Sequence, residues 1–249
     1  MVVISKIPIT FLRKYVNVWL ILSFISLLLV LIPHVGIERN GSRSWFGFGS
    51  FLIQPAEFFK LAMIVWTANY LSSKKKIQSL KHFYKAIVIM GLGFGLILLQ
   101  PDFGTGLVMV CSIVVMLFVA NVPIRYFLYL GLTGAIGLGG LIMVAPYRLA
   151  RILSFLDPWS DPLGSGFQII QSMYAIGPGS LFGFGFQNSL QKHFYLPEPQ
   201  TDFIFSILCE ELGFIGGLIV ILLFALFVWR GISIALKAKD RFGMYIAFG

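Results

Sequence analysis

The stretch LPEPQTDFIFSILCEELGF, residues 196–214, places a lone carboxylate, Asp202, directly before a long apolar run. A carboxylate at the start of an apolar helix can serve as its N-cap, favoured by the helix dipole. It can also act as a general base. Partial burial would favour its protonated form and bring it toward the neutral range in which such a base works. Pro197 and Pro199 stiffen the approach, Thr201 offers a second cap, and the same Asp202 can satisfy both readings. Glu210 and Glu211 follow inside the apolar run, where at least one must face protein or water.

Other polar residues stand at similar positions. In QPAEFFKLAM, Glu57 and Lys60 are three apart, so on a helix they share a face and can pair. Each would cost roughly 2.5 to 3.5 kcal/mol if left alone near a bilayer centre, so a structural pair and a role in a site are both open readings. In LLQPDFGTG, Pro101 breaks one helix and Asp102 stands ready to cap the next. In NGSRSWFGFGS, Arg43 and Trp45 follow the turn-forming Asn40-Gly41. Trp45 can be an interfacial anchor. A tryptophan face and a guanidinium fork beside a carboxylate also suit a sugar phosphate.

The sequence has no P-loop, HExxH, GxSxG or CxxC pattern, which removes the common ATPase, zinc-protease and hydrolase readings. His34, His82 and His193 are isolated, and no spacing defines a metal site. Cys111 and Cys209 read as buried packing residues, with a disulfide between them as the alternative.

The elements that must hold these residues are membrane helices. With 58% hydrophobic and 12% charged residues, the 249-residue chain is far more apolar than a soluble domain. Apolar runs near 15–35, 52–71, 84–100, 104–120, 126–145 and 206–229 each approach the ~20 residues needed to cross a bilayer. They are too long for barrel strands. The expected fold class is therefore an all-α, polytopic helical bundle with six complete spans, one membrane domain over 1–249. MYIAFG at one end and MVVI at the other read as partial spans, and no segment has the form of a cleavable signal peptide.

Lysine and arginine set the orientation. One side receives 13 of the 19 basic residues, including Lys74, Lys75 and Lys76; the other receives nine of the ten acids. The basic side is expected to be cytoplasmic, which puts the carboxylates outside. The net charge of +9 is this bias, and the basic loops lack the aromatic interleaving of a nucleic-acid site. One connection, 146–205, is long. PYRLARILSFLDPW within it suggests a short interfacial helix with Trp159 at headgroup level, and DPLGSGFQIIQSMYAIGPGSLFGFGF a second semi-apolar piece too short to span. The glycines of GLGFG (Gly91–Gly95) and GLTGAIGLGG (Gly131–Gly140) predict close helix packing rather than a nucleotide loop.

Five motifs in order, NGSRSWFGFGSFLIQPAEFFKLA, QPDFGTG, PYRLARILSFLDPWSDPLGSGFQIIQS, GPGSLFGFG and LPEPQTDFIFSILCEELGFIGG, resemble the SEDS family (FtsW, RodA, SpoVE), most closely its division and sporulation branch. The resemblance covers nearly the whole chain and implies a segment of a ten-helix protein, from the third helix to the start of the ninth. It implies a peptidoglycan glycosyltransferase in the bacterial cytoplasmic membrane that polymerises lipid II at the outer face, working with a class B penicillin-binding protein and other division or sporulation membrane proteins. Asp202 would be the catalytic carboxylate. Glu57 and Lys60 would belong to a polar cavity beneath it and Arg43 and Trp45 to the loop beside it, with Asp102 a further candidate for substrate binding. Lys60, Arg43, Arg148 and Arg151 would be candidates to neutralise the leaving pyrophosphate, with a divalent cation, Mg2+ or Mn2+, as the alternative. Gln187 stands where the family has a second glycine of a turn, so a looser loop is expected there, bearing on any substrate contact by Lys192. A lipid II flippase or a non-enzymatic division scaffold are the alternatives. A flippase would want polar residues spread across the bilayer depth.

Overall fold

The computed structural model describes residues 9–39, 41–48, 51–73, 80–144, 147–192, 196–197 and 201–249. They form two compact units, one of Met1–Tyr129 with Arg230–Gly249 and the other of Leu130–Trp229.

The first unit opens with α1 (Ile9–Lys14) and α2 (Val16–Val30). The apolar run continues past Val30, but Pro33 disfavours helical backbone at Ile32, and His34 takes a positive φ of 72°. The helix therefore closes five residues before the expected end. A small antiparallel sheet follows: β1 (Ile37–Arg39), β2 (Ser42–Phe48) and β3 (Phe51–Ile53), in that order. Arg39 pairs with Ser42 and Phe48 with Phe51. The all-helix expectation is corrected here, because SRSWFGF alternates side chains across a pleat.

Gln54 is extended, and Pro55 starts α3 (Pro55–Ser72), where a missing N–H costs nothing. This helix packs on α2, on α5 (Phe103–Val119) and on α10 (Arg241–Phe248). Phe59, Met63, Leu27, Met109 and Met116 are fully buried among them. Phe59 also reaches α4 (Leu80–Leu99), where a Cβ on Gly93 would lie 2.1 Å from its ring. Close packing at glycine holds there alone in GLGFG. Among the described residues, Gly91, Gly95 and the glycines of 131–140 on α6 (Ile124–Val144) have nothing within 4 Å of where a side chain would stand.

In the second unit, α7 (Tyr147–Leu156) and α8 (Phe167–Ile176) form the two short pieces expected within 146–205, joined through a turn of 3-10 helix at Pro158–Ser160. Asp161 closes the turn into α8. Its carboxylate accepts from the Ser165 amide at 2.8 Å and the Ser165 hydroxyl at 3.1 Å, which hold it below the usual carboxylate range. Then comes α9 (Ile204–Leu236), whose best window has a mean hydropathy of 2.7 with only 17% of it buried. A soluble core helix of that apolarity would be covered. Among the described residues α9 is the one helix both long and apolar enough to cross a membrane; α2, Phe83–Leu99 and α5 are apolar but shorter. Both cysteines are free, and Cys111 is exposed, which corrects the disulfide alternative and the burial expected of Cys111; Cys209 is buried as expected.

Candidate active site

Asp202 lies in the turn 201–203 just before α9. The carbonyl of Phe203 accepts from the amides of Ser206 and Ile207, so the helix is capped at Phe203 and Asp202 stands one position too early to be its N-cap. Asp202 is exposed, which corrects the partial burial expected of it. Among the described residues no hydrogen bond or ion pair engages its carboxylate.

Eleven residues further on, α9 is broken. Gly213 has φ 69° and ψ −167°, a region essentially closed to side-chain-bearing residues. In an unbroken helix the carbonyls of Glu210 and Glu211 would accept from Phe214 and Ile215. Here they accept instead from Phe184 and Gly185, at 3.0 and 2.9 Å, while the Phe214 and Ile215 amides donate to Ser180 and Leu181, at 2.8 and 3.2 Å. Residues 180–185 thus enter the helix's own ladder, and four hydrogen bonds replace two. The approach is close: a Cβ on Gly183 would lie 2.2 Å from the Glu211 carbonyl oxygen.

The side chains beside the break complete the junction. Glu210, 2% exposed, accepts from the Ser189 hydroxyl, from the Leu190 amide at 3.0 Å and from the Gln191 amide at 3.4 Å. Glu211 pairs with Lys192 Nζ at 2.8 Å and accepts from the Ser189 amide at 3.4 Å. Lys192 Nζ also donates to the Gln187 carbonyl, and Gln187 has φ 67°, the conformation of a turn glycine. The expected looser loop is therefore corrected: Gln187 takes the strained turn and Lys192 closes it. Its ammonium thus has two partners, the Glu211 carboxylate and the Gln187 carbonyl. Arg148 and Arg151 are one turn apart on α7; their side chains lie outside the described residues.

In the first unit, Arg43 NH2 stands 3.6 Å from Glu38 Oε2 across the β1–β2 pair, and Trp45, half-buried, lies opposite Ile37. Lys60 and Glu57 pair at 2.9 Å in the first turns of α3, with Glu57 half exposed. Such an open pair contributes well under 1 kcal/mol. Asp102 caps α5 by accepting from the Thr105 amide at 3.2 Å, as expected, and its other oxygen accepts from Gln54 Nε2 at 2.5 Å. Gln100 is fully buried and ties the Leu27 carbonyl to this corner, while its own carbonyl takes the Ser42 hydroxyl. A cavity of about 380 Å³ lies in the same unit, lined by Trp19, Leu22, Phe46, Phe58 and Leu61. Its only hydroxyls, Ser23 and Ser26, are spent on backbone carbonyls, so it suits an apolar guest and no sugar.

Gln54 and Ser189 are polar residues that sequence reasoning did not single out, and it placed Glu210 and Glu211 in the apolar run without their partners. Two adjacent acids in an apolar helix, followed by a glycine, were the available signal. Among the described residues no group of three or more His, Cys, Asp and Glu is placed to hold a metal ion.

An apolar helical protein whose longest apolar helix is largely uncovered belongs to the integral-membrane class. The family model for FtsW, RodA and SpoVE, described as cell cycle protein, matches residues 1–249. Stage V sporulation protein E of Bacillus subtilis (strain 168) is 57% identical over 239 residues, 95% of this chain and 65% of that protein. The probable peptidoglycan glycosyltransferase FtsW of Pseudomonas fluorescens (strain SBW25) is 40% identical over 253 residues, 100% of this chain and 62% of that protein. A chain from a solved peptidoglycan synthase complex, described as coordinating polymerization and crosslinking, superposes with a TM-score of 0.76 at 30% identity, covering 99% of this chain and 69% of that one. The rod shape determining protein RodA of Thermus thermophilus superposes with a TM-score of 0.62 at 26% identity, covering 96% and 64%. The chain belongs to the FtsW/RodA/SpoVE family, and it spans just under two thirds of the length of these curated relatives.

Proposed function

We propose that this chain is the greater part of a peptidoglycan glycosyltransferase that polymerises lipid II into glycan strands at the outer face of the bacterial cytoplasmic membrane, in division or sporulation. The names of the FtsW relatives and of the synthase complex support the activity, and the crosslinking named for that complex supports a penicillin-binding protein as partner, in this reading one of class B. The observation that carries the reading is the carboxylate of Asp202, exposed and without a hydrogen-bond partner among the described residues, at the start of the long apolar helix α9. A general base needs open lone pairs within reach of the hydroxyl it serves.

In this reading Asp202 takes the proton from a sugar hydroxyl of one lipid II. That oxygen attacks the anomeric carbon of the growing chain, and the bond to undecaprenyl pyrophosphate breaks with inversion. Arg148 and Arg151, one turn apart on α7, are the candidates to neutralise the leaving diphosphate. The tail of the substrate accounts for a base at the mouth of a membrane helix. The fold in the bilayer is six spans, with α2, α3, α4, α5, α6 and α9 as the spanning helices and the 146–205 segment outside. A flippase fits less well, because Glu57, Asp102, Glu210 and Glu211 all stand near helix starts and not along the spans.

The test is polymerisation of labelled lipid II by the full-length protein with its penicillin-binding partner, wild type against Asp202→Asn. We expect glycan product to fall by at least about 100-fold in a variant whose thermal stability is unchanged. Undiminished polymerisation would move the reading to transport or scaffolding.

A further inference from the structure

We infer that residues 181–184 dip from the outer face into the outer leaflet, where Leu181, Phe182 and Phe184 rest against the acyl chains of bilayer lipid; the inference rests on α9 crossing the bilayer with Arg230 at its cytoplasmic end. The depth of the break in α9 comes first. From Gly213 to Trp229 the chain is apolar, and Arg230 is the next charged residue. An indole followed by a cation marks a membrane boundary. Those roughly 17 residues rise about 25 Å as helix, whereas the hydrocarbon core is about 30 Å thick, and tilt shortens the reach further. Gly213 therefore lies below the outer boundary, inside hydrocarbon.

Hydrogen bonding at the break agrees with that depth. In water, the amides and carbonyls that a broken helix frees can turn to solvent; in hydrocarbon they need protein partners. Those of Glu210, Glu211, Phe214 and Ile215 all have them, and every partner comes from residues 180–185. The Leu181 carbonyl takes the Ile215 amide and the Phe184 amide serves Glu210, so the segment between them lies level with Gly213. The two acids just above the break are bonded as well, Glu210 to the Ser189 hydroxyl and the Leu190 amide, Glu211 to Lys192 Nζ at 2.8 Å. No carboxylate beside the break is left bare.

The side chains of the segment identify what it meets. Ser180 to Phe186 reads SLFGFGF, with one hydroxyl as its only polar side chain. Glycine at 183 lets the backbone close on the helix, yet the neighbouring rings stay open, Phe182 at 76% and Phe186 at 75% exposed. An exposed apolar patch of this kind marks an interaction surface. It runs on into the uncovered side of α9, where Phe214 is 62% exposed and its amide is bonded to Ser180, so the occupant is the lipid that α9 itself meets. Gln187 and Asn188, both exposed, end the apolar stretch and return the chain to the headgroups.

The experiment places a single cysteine by Phe182→Cys or Asn188→Cys in the full-length protein, free of other cysteines, and labels it with a small environment-sensitive fluorophore. The protein is reconstituted in vesicles of equal parts phosphatidylethanolamine and phosphatidylglycerol. Quenching is then measured with a nitroxide on the lipid acyl chain and with iodide on both faces. We expect the acyl-chain nitroxide to quench position 182 at least about threefold more than position 188, and iodide to show the reverse order. Phe184→Cys carries the test if Phe182→Cys does not fold. Iodide quenching at 182 equal to that at 188 would place the segment in water and overturn the inference. Shielding of 182 from both quenchers would overturn it too, by making protein the occupant. Lys237→Cys in intact cells separates the two readings: labelling by an impermeant maleimide only after the membrane is opened upholds the orientation of α9, so a failure at 182 then strikes the dip alone. Labelling of position 237 from outside sinks the orientation and the dip together.

Discussion

Asp102 is a carboxylate whose two oxygens have separate tasks, one capping α5 and the other receiving Gln54 from the start of α3. Asparagine retains an acceptor for the Thr105 amide, and the Gln54 amide can turn to meet it; alanine retains nothing. We expect Asp102→Asn to melt close to wild type and Asp102→Ala to lose about 1 to 2 kcal/mol, read as a lower apparent melting temperature in detergent. The cap was legible from the sequence because it is local: a proline, an acid, then a helix. The Glu57–Lys60 pair was legible for the same reason. Gln54 and Glu210 were not, because their partners stand 48 and about 20 residues away, and no spacing rule spans such distances. Asp202 was found by its place in the chain, but its burial was misjudged because the cap position falls on Phe203.

At the scale of elements, helices stand where the apolar runs predicted them, while the β1–β3 sheet and the break in α9 were missed. The sheet shows how short alternation is overlooked beside long apolar runs, although Asn40-Gly41 marked its turn. The break was hidden because a single glycine in an apolar helix is usually tolerated. Here Gly213 adopts a backbone conformation that no other residue takes readily, and an added Cβ would lie 2.5 Å from the Gly183 amide nitrogen and from the Leu181 carbonyl. Gly213→Ala is expected to destabilise the protein by more than 2 kcal/mol, on the order of the larger single-residue losses. An unchanged melting temperature, with protected amides at Phe184 and Gly185, would refute this.

At the scale of the whole molecule, composition and charge bias made the membrane class legible, and five ordered motifs made the family legible. The number of spans is a separate matter, since it depends on how helices of different length meet a bilayer. Single cysteines at Trp159 and Lys75, in a cysteine-free background, test the proposed topology. A membrane-impermeant maleimide should label position 159 in intact cells or spheroplasts and label position 75 only after the membrane is opened. Labelling of position 159 solely from the cytoplasm would invert the arrangement.

The exchange of backbone hydrogen bonds around Gly213 also bears on biosynthesis. Residues 180–185 leave the ribosome before Gly213, so the strand that completes the broken ladder is already made when α9 is inserted. Were the order reversed, two amides and two carbonyls would wait in lipid without partners, each at a cost of several kcal/mol. Vectorial synthesis thus favours docking this strand as the helix forms, and a nascent chain stalled before residue 215 would hold the strand with its final seat unfinished.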